Sequence, residues 1–204
     1  MKRIFAQYRL LLSKILLLSI IVLMIISEND INPDTPLYNI LELTGFFFVL
    51  VGVFGRIWAS LYIEGNKTNN LITKGIYALS RNPLYFFSFI LLIGYCCVIK
   101  SAIIVTISLL IWVLIYPMTI KHEEEKLLNI HKDNYTDYYN RTPKIIPNFS
   151  LFKKSDKGYK IDITIKNVER VLVESFGFLL FYEIIRFLNY LHYSNSLSSF
   201  FIIY

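Results

Sequence analysis

The chain has little of what small domains use for crosslinking and tight turning: two cysteines and eight glycines in 204 residues. Cys96 and Cys97 are neighbours in one apolar run. They cannot easily bridge each other, and no second pair exists for a disulfide framework, so they read as small apolar residues. There is no Gly-rich phosphate loop, nucleophile elbow, internal repeat or low-complexity tail, which leaves P-loop and elbow-type hydrolase chemistry without a signature. Charge is scarce at 18% of residues, and no patch interleaves basic with aromatic residues as nucleic-acid binding would require. The net charge of +6 is accounted for by basic loops beside anionic lipid. No small-residue cleavage signature follows the first apolar segment. The residues after it, Ser27-Glu-Asn-Asp-Ile-Asn-Pro-Asp34, are acidic and turn-rich, which suits a retained signal anchor.

What is present is apolar. With 55% hydrophobic residues and a mean hydropathy of +0.50, the chain reads as an integral membrane protein. Leu10 to Ile26 is a first candidate span, and about Leu41 to Ile63 a second. The block from Leu84 to Ile120 is too long for one span and is interrupted at Lys100-Ser101, which predicts a tight helical hairpin forming spans three and four. Val171 to Leu191 is a fifth candidate; Glu174, Glu183 and Arg186 interrupt it and favour an interfacial or bundle-facing helix. Glu183 and Arg186, three apart, are spaced to pair. The expected fold is an all-α polytopic transmembrane bundle, four core spans plus this fifth, in a single membrane domain over residues 1–204. An irregular polar linker is expected from Asn148 to Asn167.

Basic residues orient the bundle. Lys2, Arg3, Arg9 and Lys14 precede the first span, and the loop from Ser27 to Asn39 carries no basic residue. Lys67, Lys74 and Arg81 follow the second span, and a basic run beginning at Lys121 follows the fourth. The positive-inside bias therefore puts the N-terminus and the latter two segments in the cytoplasm. The Asn-X-Ser/Thr sequences at Asn66, Asn134, Asn140 and Asn148 fall on that side and read as accidents of an Asn-rich chain. His122-Glu123 resembles the start of a zinc-protease helix, but Lys126 stands where the second His is needed, so no metal site is assigned.

Two polar stretches, some forty residues apart, meet on the cytoplasmic side of the predicted hairpin: Gly75 to Tyr85, and His122 to Tyr138. Taken singly, their charges are topology signals and their tyrosines belt aromatics in a chain with fifteen. Arg56, about two turns inside the second span, needs a partner such as Glu123, Glu124 or Glu64.

In order, Arg56-x-Trp58-Ala59, Gly75-x-Tyr77, Arg81-Asn82-Pro83-x-Tyr85, Glu123-Glu124-x-x-Leu127, Tyr135-x-x-Tyr138 and Pro143-x-x-x-Pro147 make residues 45–147 resemble the isoprenylcysteine carboxyl methyltransferase and phospholipid methyltransferase superfamily. Residues 1–44 and 148–204 add membrane character without a motif. The resemblance implies a membrane methyltransferase with an S-adenosylmethionine pocket at the cytoplasmic face. Its site would be Tyr77, Arg81, Asn82, Pro83, Tyr85, Glu123, Glu124, Tyr135 and Tyr138, with Arg81, Glu123 and Glu124 nearest the chemistry. Arg81 and Asn82 would lie by the cofactor's amino-acid end or in the network shaping it; Glu123 and Glu124 would bind its amino group or order Arg81. The acceptor implied is lipid-like or lipidated and enters from the bilayer.

The chain departs from the family pattern at Asn82, where many members have His, at Ile76 and at Phe87. An ionisable imidazole is lost at position 82 while hydrogen bonding survives. Glu125 falls outside the motif register and reads as a solvated helix residue. A membrane NADPH-dependent enone or sterol reductase, and a non-catalytic protein on the same scaffold, are the alternatives to a methyltransferase.

Overall fold

A computed structural model of the chain describes residues 31–64, 70–152 and 163–197, with residue 18 and the stretches 20–25, 27–29 and 201–203. Its long elements are helical. Helix α1 spans Pro36–Ile63, opened by Thr35, whose hydroxyl accepts from the Tyr38 amide, and by Pro36 in the first turn. It starts five residues before the expected Leu41 because this cap and proline fix the first turn there. A short α2, Ile76–Leu79, precedes α3, Pro83–Ile99, and α4, Ala102–Arg141. A single 3-10 turn, Phe149–Leu151, lies ahead of α5, Ile165–Tyr193. The expected irregular linker thus holds a 3-10 turn and the first turn of α5, and residues 153–162 within it lie outside the described residues.

The predicted hairpin is present. Lys100 takes a left-handed conformation (φ 58°) to end α3, and the Ser101 hydroxyl caps α4. By length and composition, α1 and α4 are the two helices among the described residues long and apolar enough to cross a membrane. With 17 residues, α3 is about 25 Å long, short of a full span unless the helix ends reach the interface. Most of the first candidate span lies outside the described residues; its stretch 20–25 is helical. The all-α expectation is amended by one small parallel pairing, β1 (Ser27–Asn29) with β2 (Phe201–Ile203).

Helices α1, α3 and α5 form the core, where Val49 and Val53 of α1 meet Leu91 and Val98 of α3 and Ile185 of α5. The α1–α3 contact is backbone to backbone. A Cβ on Gly94 would stand 2.8 Å from the Val49 nitrogen and 2.9 Å from the Gly45 carbonyl oxygen, so small residues set the interhelical distance, as they do where lipid gives no hydrophobic drive for association. Large apolar side chains point outward instead: Phe47 and Phe54 of α1, Leu114 and Met118 of α4, Phe176 and Leu180 of α5. Such surfaces suit hydrocarbon better than water.

Charges close the Lys100 end of the bundle. The buried Lys100 ammonium pairs with Glu42 of α1 and lies 3.7 Å from the centre of the Tyr38 ring. Arg186 of α5 reaches the other Glu42 oxygen at 3.0 Å and forms the expected pair with Glu183 at 3.3 Å. Gly94→Ala should overpack the α1–α3 contact, costing about 1–3 kcal/mol. A lowered unfolding midpoint in detergent is the expected measurement, and an unchanged midpoint would refute the close approach.

Candidate functional site at the turn between α2 and α3

At the end of the bundle away from Lys100 the chain makes a tight corner. Gly75 has φ +59°, and a Cβ there would collide with the Tyr62 ring at 2.3 Å, so glycine is required by both backbone and packing. Helix α2 then runs into Ser80-Arg81-Asn82, and Pro83 starts α3. Asn82 sits at the N-cap of α3 but makes no side-chain cap. Its amide donates to Glu124 Oε1 (3.0 Å) and to the Lys144 carbonyl (3.0 Å). One amide nitrogen serves both acceptors, which the single N–H of a neutral imidazole could not do from one position.

Arg81 is the centre of the arrangement. Its Nε donates to Glu124 Oε1 at 2.9 Å, and its Nη1 donates to the carbonyls of Tyr139 (2.7 Å) and Thr142 (2.6 Å). The guanidinium carbon lies 3.9 Å from the centre of the Tyr139 ring. The side chains of Arg81 and Glu124 are 7% and 11% exposed, so this is a charge pair withdrawn from water and held by further hydrogen bonds.

The segment after α4 folds back over the corner. The Arg81 amide donates to the Pro143 carbonyl (2.8 Å), the Asn148 amide to the Leu79 carbonyl (2.9 Å) and the Ser80 hydroxyl to the Ile145 carbonyl (2.8 Å). The Tyr138 hydroxyl donates to the Tyr77 carbonyl (2.7 Å), and Tyr77 in turn donates to the Ala59 carbonyl of α1 (3.3 Å). Within α4, Lys132 breaks the helix with φ 44° and ψ −118°, turning residues 133–141 toward the corner.

Among the residues singled out from sequence, Tyr77, Arg81, Asn82, Glu124 and Tyr138 are thus joined in one network, and Pro83 is buried behind it. Glu123 is half-buried next to Glu124, while Glu125 is exposed as expected. Tyr85 stands apart on α3, edge-on to Tyr116 of α4 at 5.5 Å. Tyr135 is buried between the rings of Tyr138 and Tyr139, and its hydroxyl has no hydrogen-bond partner among the described residues. Burial raises the hydroxyls of Tyr77, Tyr135 and Tyr138 above their ordinary value, and nearby Glu124 raises Tyr135 further. All three are neutral donors near pH 7.

The expected partners of Arg56 are corrected. Glu124 is taken by Arg81 and Glu64 by Arg170 of α5, whereas Arg56 donates to the Ser88 hydroxyl of α3 and lies over the Phe178 ring at 4.7 Å. The reason is position: Arg56 points into the junction of α1, α3 and α5, and the glutamates lie at the bundle's end. Sequence reading also missed Tyr139, Thr142 and the main-chain carbonyls that hold Arg81. Carbonyls carry no sequence signal, and Tyr139 is one more tyrosine beside Tyr138.

Glu124→Ala should leave Arg81 buried without its anion and cost roughly 3–5 kcal/mol. Faster amide exchange over residues 142–148 is the expected readout. Tyr135→Phe removes a hydroxyl with no partner to lose and should be stabilising by about 1 kcal/mol near neutral pH. The sign of its pH effect follows from the raised hydroxyl. The unfolded tyrosine ionises at about 10 and the buried one does not, so stability falls as pH climbs above 10, and Tyr135→Phe should show a shallower fall in alkaline unfolding.

The sequence is similar to known proteins over this region. The family model for phospholipid methyltransferases matches residues 40–134. The nickel-cobalt-cadmium resistance protein NccN of Alcaligenes xylosoxydans xylosoxydans is 32% identical over 161 residues, 79% of this chain and 74% of its own. The cobalt-zinc-cadmium resistance protein CzcN of Cupriavidus metallidurans is 30% identical over 135 residues, 66% of this chain and 61% of its own. No solved structure matches. The matched residues contain Arg56, the Gly75 corner, the Arg81-Asn82-Pro83 turn and Glu124, and the chain belongs to the phospholipid methyltransferase family.

Proposed function

We propose that this protein is a multi-pass membrane enzyme that transfers the methyl group of S-adenosylmethionine to a lipid-like acceptor, with its N-terminus and its Arg81 centre on the cytoplasmic side. The observation that supports this most is the convergence of Arg81, Asn82 and Glu124, from segments 42 residues apart, beside the buried and unpartnered hydroxyl of Tyr135. That donor set fits the cofactor. Glu123 and the second oxygen of Glu124 suit an ammonium, the Tyr135 hydroxyl suits a polar group beside them, and Tyr139 and Tyr85 offer aromatic surface. Arg81 serves chiefly to order Glu124 and the 142–148 segment, since its Nε and Nη1 are already committed.

When bound, the cofactor supplies an electrophilic sulfonium methyl, and the protein's work is orientation. A carboxylate acceptor needs no base. An amine acceptor must lose a proton, and the glutamates are the bases available, because the buried tyrosines are held neutral.

The names of NccN and CzcN attach those relatives to metal-ion resistance. Among the described residues no group of three or more His, Cys, Asp or Glu could hold a metal ion. Any part this chain plays in resistance is read as acting through a methylated membrane component.

The test is transfer of labelled methyl from S-adenosylmethionine into membranes containing the protein or its Glu124→Gln variant, with lipid and protein fractions counted separately. Label in the wild type, lost in the variant, is expected, and its fraction identifies the acceptor class. Tyr135→Phe should weaken S-adenosylhomocysteine binding while folding normally. No label, no S-adenosylhomocysteine binding and binding of reduced nicotinamide dinucleotide phosphate would overturn the methyltransferase reading in favour of a reductase.

A further inference from the structure

Arg56 is a cation inside the bundle that the Arg81 centre does not use. It lies seven residues before the end of α1, about 10 Å from the Glu64 end of the helix. Its Nη1 donates to Ser88, its face rests on Phe178, and its Nε is buried with no hydrogen-bond partner among the described residues. Among the described residues it forms no ion pair. A guanidinium at this depth is costly unless an anion or water meets it, so the unmet Nε marks a place where an acceptor atom belongs.

The surroundings say from which side such an atom would come. Helices α4 and α5 scarcely touch each other, although each packs on α3. Tyr116 of α4 and Glu174 of α5 stand on either side of that gap, both close enough to Arg56 to interact with it electrostatically. On the α4 side the wall is aromatic: Trp112 stacks on Tyr116 at 5.3 Å and meets Phe89 of α3 at 4.4 Å. The indole Nε1 of Trp112 is a second buried donor without a partner. Beside a guanidinium that forms no ion pair, two buried donors without a hydrogen-bond partner among the described residues favour an anionic acceptor, even with the exposed Glu174 carboxylate across the gap, and the aromatic wall suits the chain that carries it.

We infer that Arg56 receives the anionic group, a phosphate or a carboxylate, of a membrane amphiphile that enters sideways between α4 and α5. Its identity as the methyl acceptor rests on the methyltransferase reading; its binding does not. The site lies about two turns along α3 from Asn82, at Ser88.

The chain has two tryptophans, so Trp58→Phe leaves Trp112 as the sole reporter. In vesicles, its fluorescence is measured against dibrominated phosphatidate, dibrominated fatty acid and dibrominated phosphatidylcholine at equal total lipid. Quenching by at least one anionic lipid at about tenfold lower mole fraction than phosphatidylcholine is expected, the size of a charge-assisted hydrogen bond, and the stronger of the two identifies phosphate or carboxylate. Arg56→Gln should bring the lipids to parity, and Arg56→Lys should retain most of the preference. Should Arg56→Gln fail to fold, Ser88→Ala, which frees Nη1, should keep the anionic preference. Equal quenching in the parent, preference surviving Arg56→Gln, or preference lost in Ser88→Ala would overturn the inference. The readout uses neither cofactor nor turnover, so absent methyl transfer leaves it intact, and equal quenching overturns it even where methyl transfer succeeds.

Discussion

The buried pair of Arg81 with Glu124 is the constraint on which this end of the molecule depends. A guanidinium withdrawn from water must have its donors met, and Nε and Nη1 meet theirs on two stretches: the Glu124 turn of α4, and the end of that helix at Tyr139 and Thr142. Because those acceptors lie 43 to 61 residues beyond Arg81, one side chain fixes the path of the 133–148 segment over the corner between α2 and α3. Asn82 reinforces it by giving up the helix cap its residue type usually makes and spending its amide on Glu124 and Lys144.

The two ends of the bundle use charge differently. At the Lys100 end, Lys100 and Arg186 share Glu42 and thereby tie the α3–α4 turn and α5 to the start of α1. Every formal charge in that cluster has an opposite neighbour, which is the pattern of a clamp. At the other end, among the described residues, the network leaves the Tyr135 hydroxyl and, deeper, the Arg56 Nε without hydrogen-bond partners. Between the ends, glycine contacts let α1 and α3 approach to backbone distance. The bundle is therefore tightly packed along α1 and α3, while the apolar half of α4 is largely exposed.

Much of this was legible in the sequence for definite reasons. The break at Lys100-Ser101 announces a hairpin because two polar residues interrupt an apolar run too long for one helix, and the fold places the turn there. The ordered motifs announce a meeting of Arg81 with the glutamates, and the structure joins Arg81 to Glu124 and leaves Glu125 in solvent. The partner of Arg56 was not legible. Three glutamates were candidates by charge, but Ser88 and Phe178 hold it, because helix rotation and packing decide which residues share a junction and composition does not.

By itself the sequence determined the apolar helices, their turns, and a family membership carried by residues 40–134, because periodicity, capping and motif order are local properties of the chain. Only the tertiary structure decided which donors are satisfied. Main-chain carbonyls of Tyr139, Thr142 and Lys144 that no sequence pattern announces complete Arg81 and Asn82, while the Tyr135 hydroxyl, Trp112 Nε1 and Arg56 Nε are buried without hydrogen-bond partners among the described residues. Hydrogen-bond satisfaction depends on the three-dimensional positions of backbone atoms common to every residue, and those positions exist only once the helices have packed.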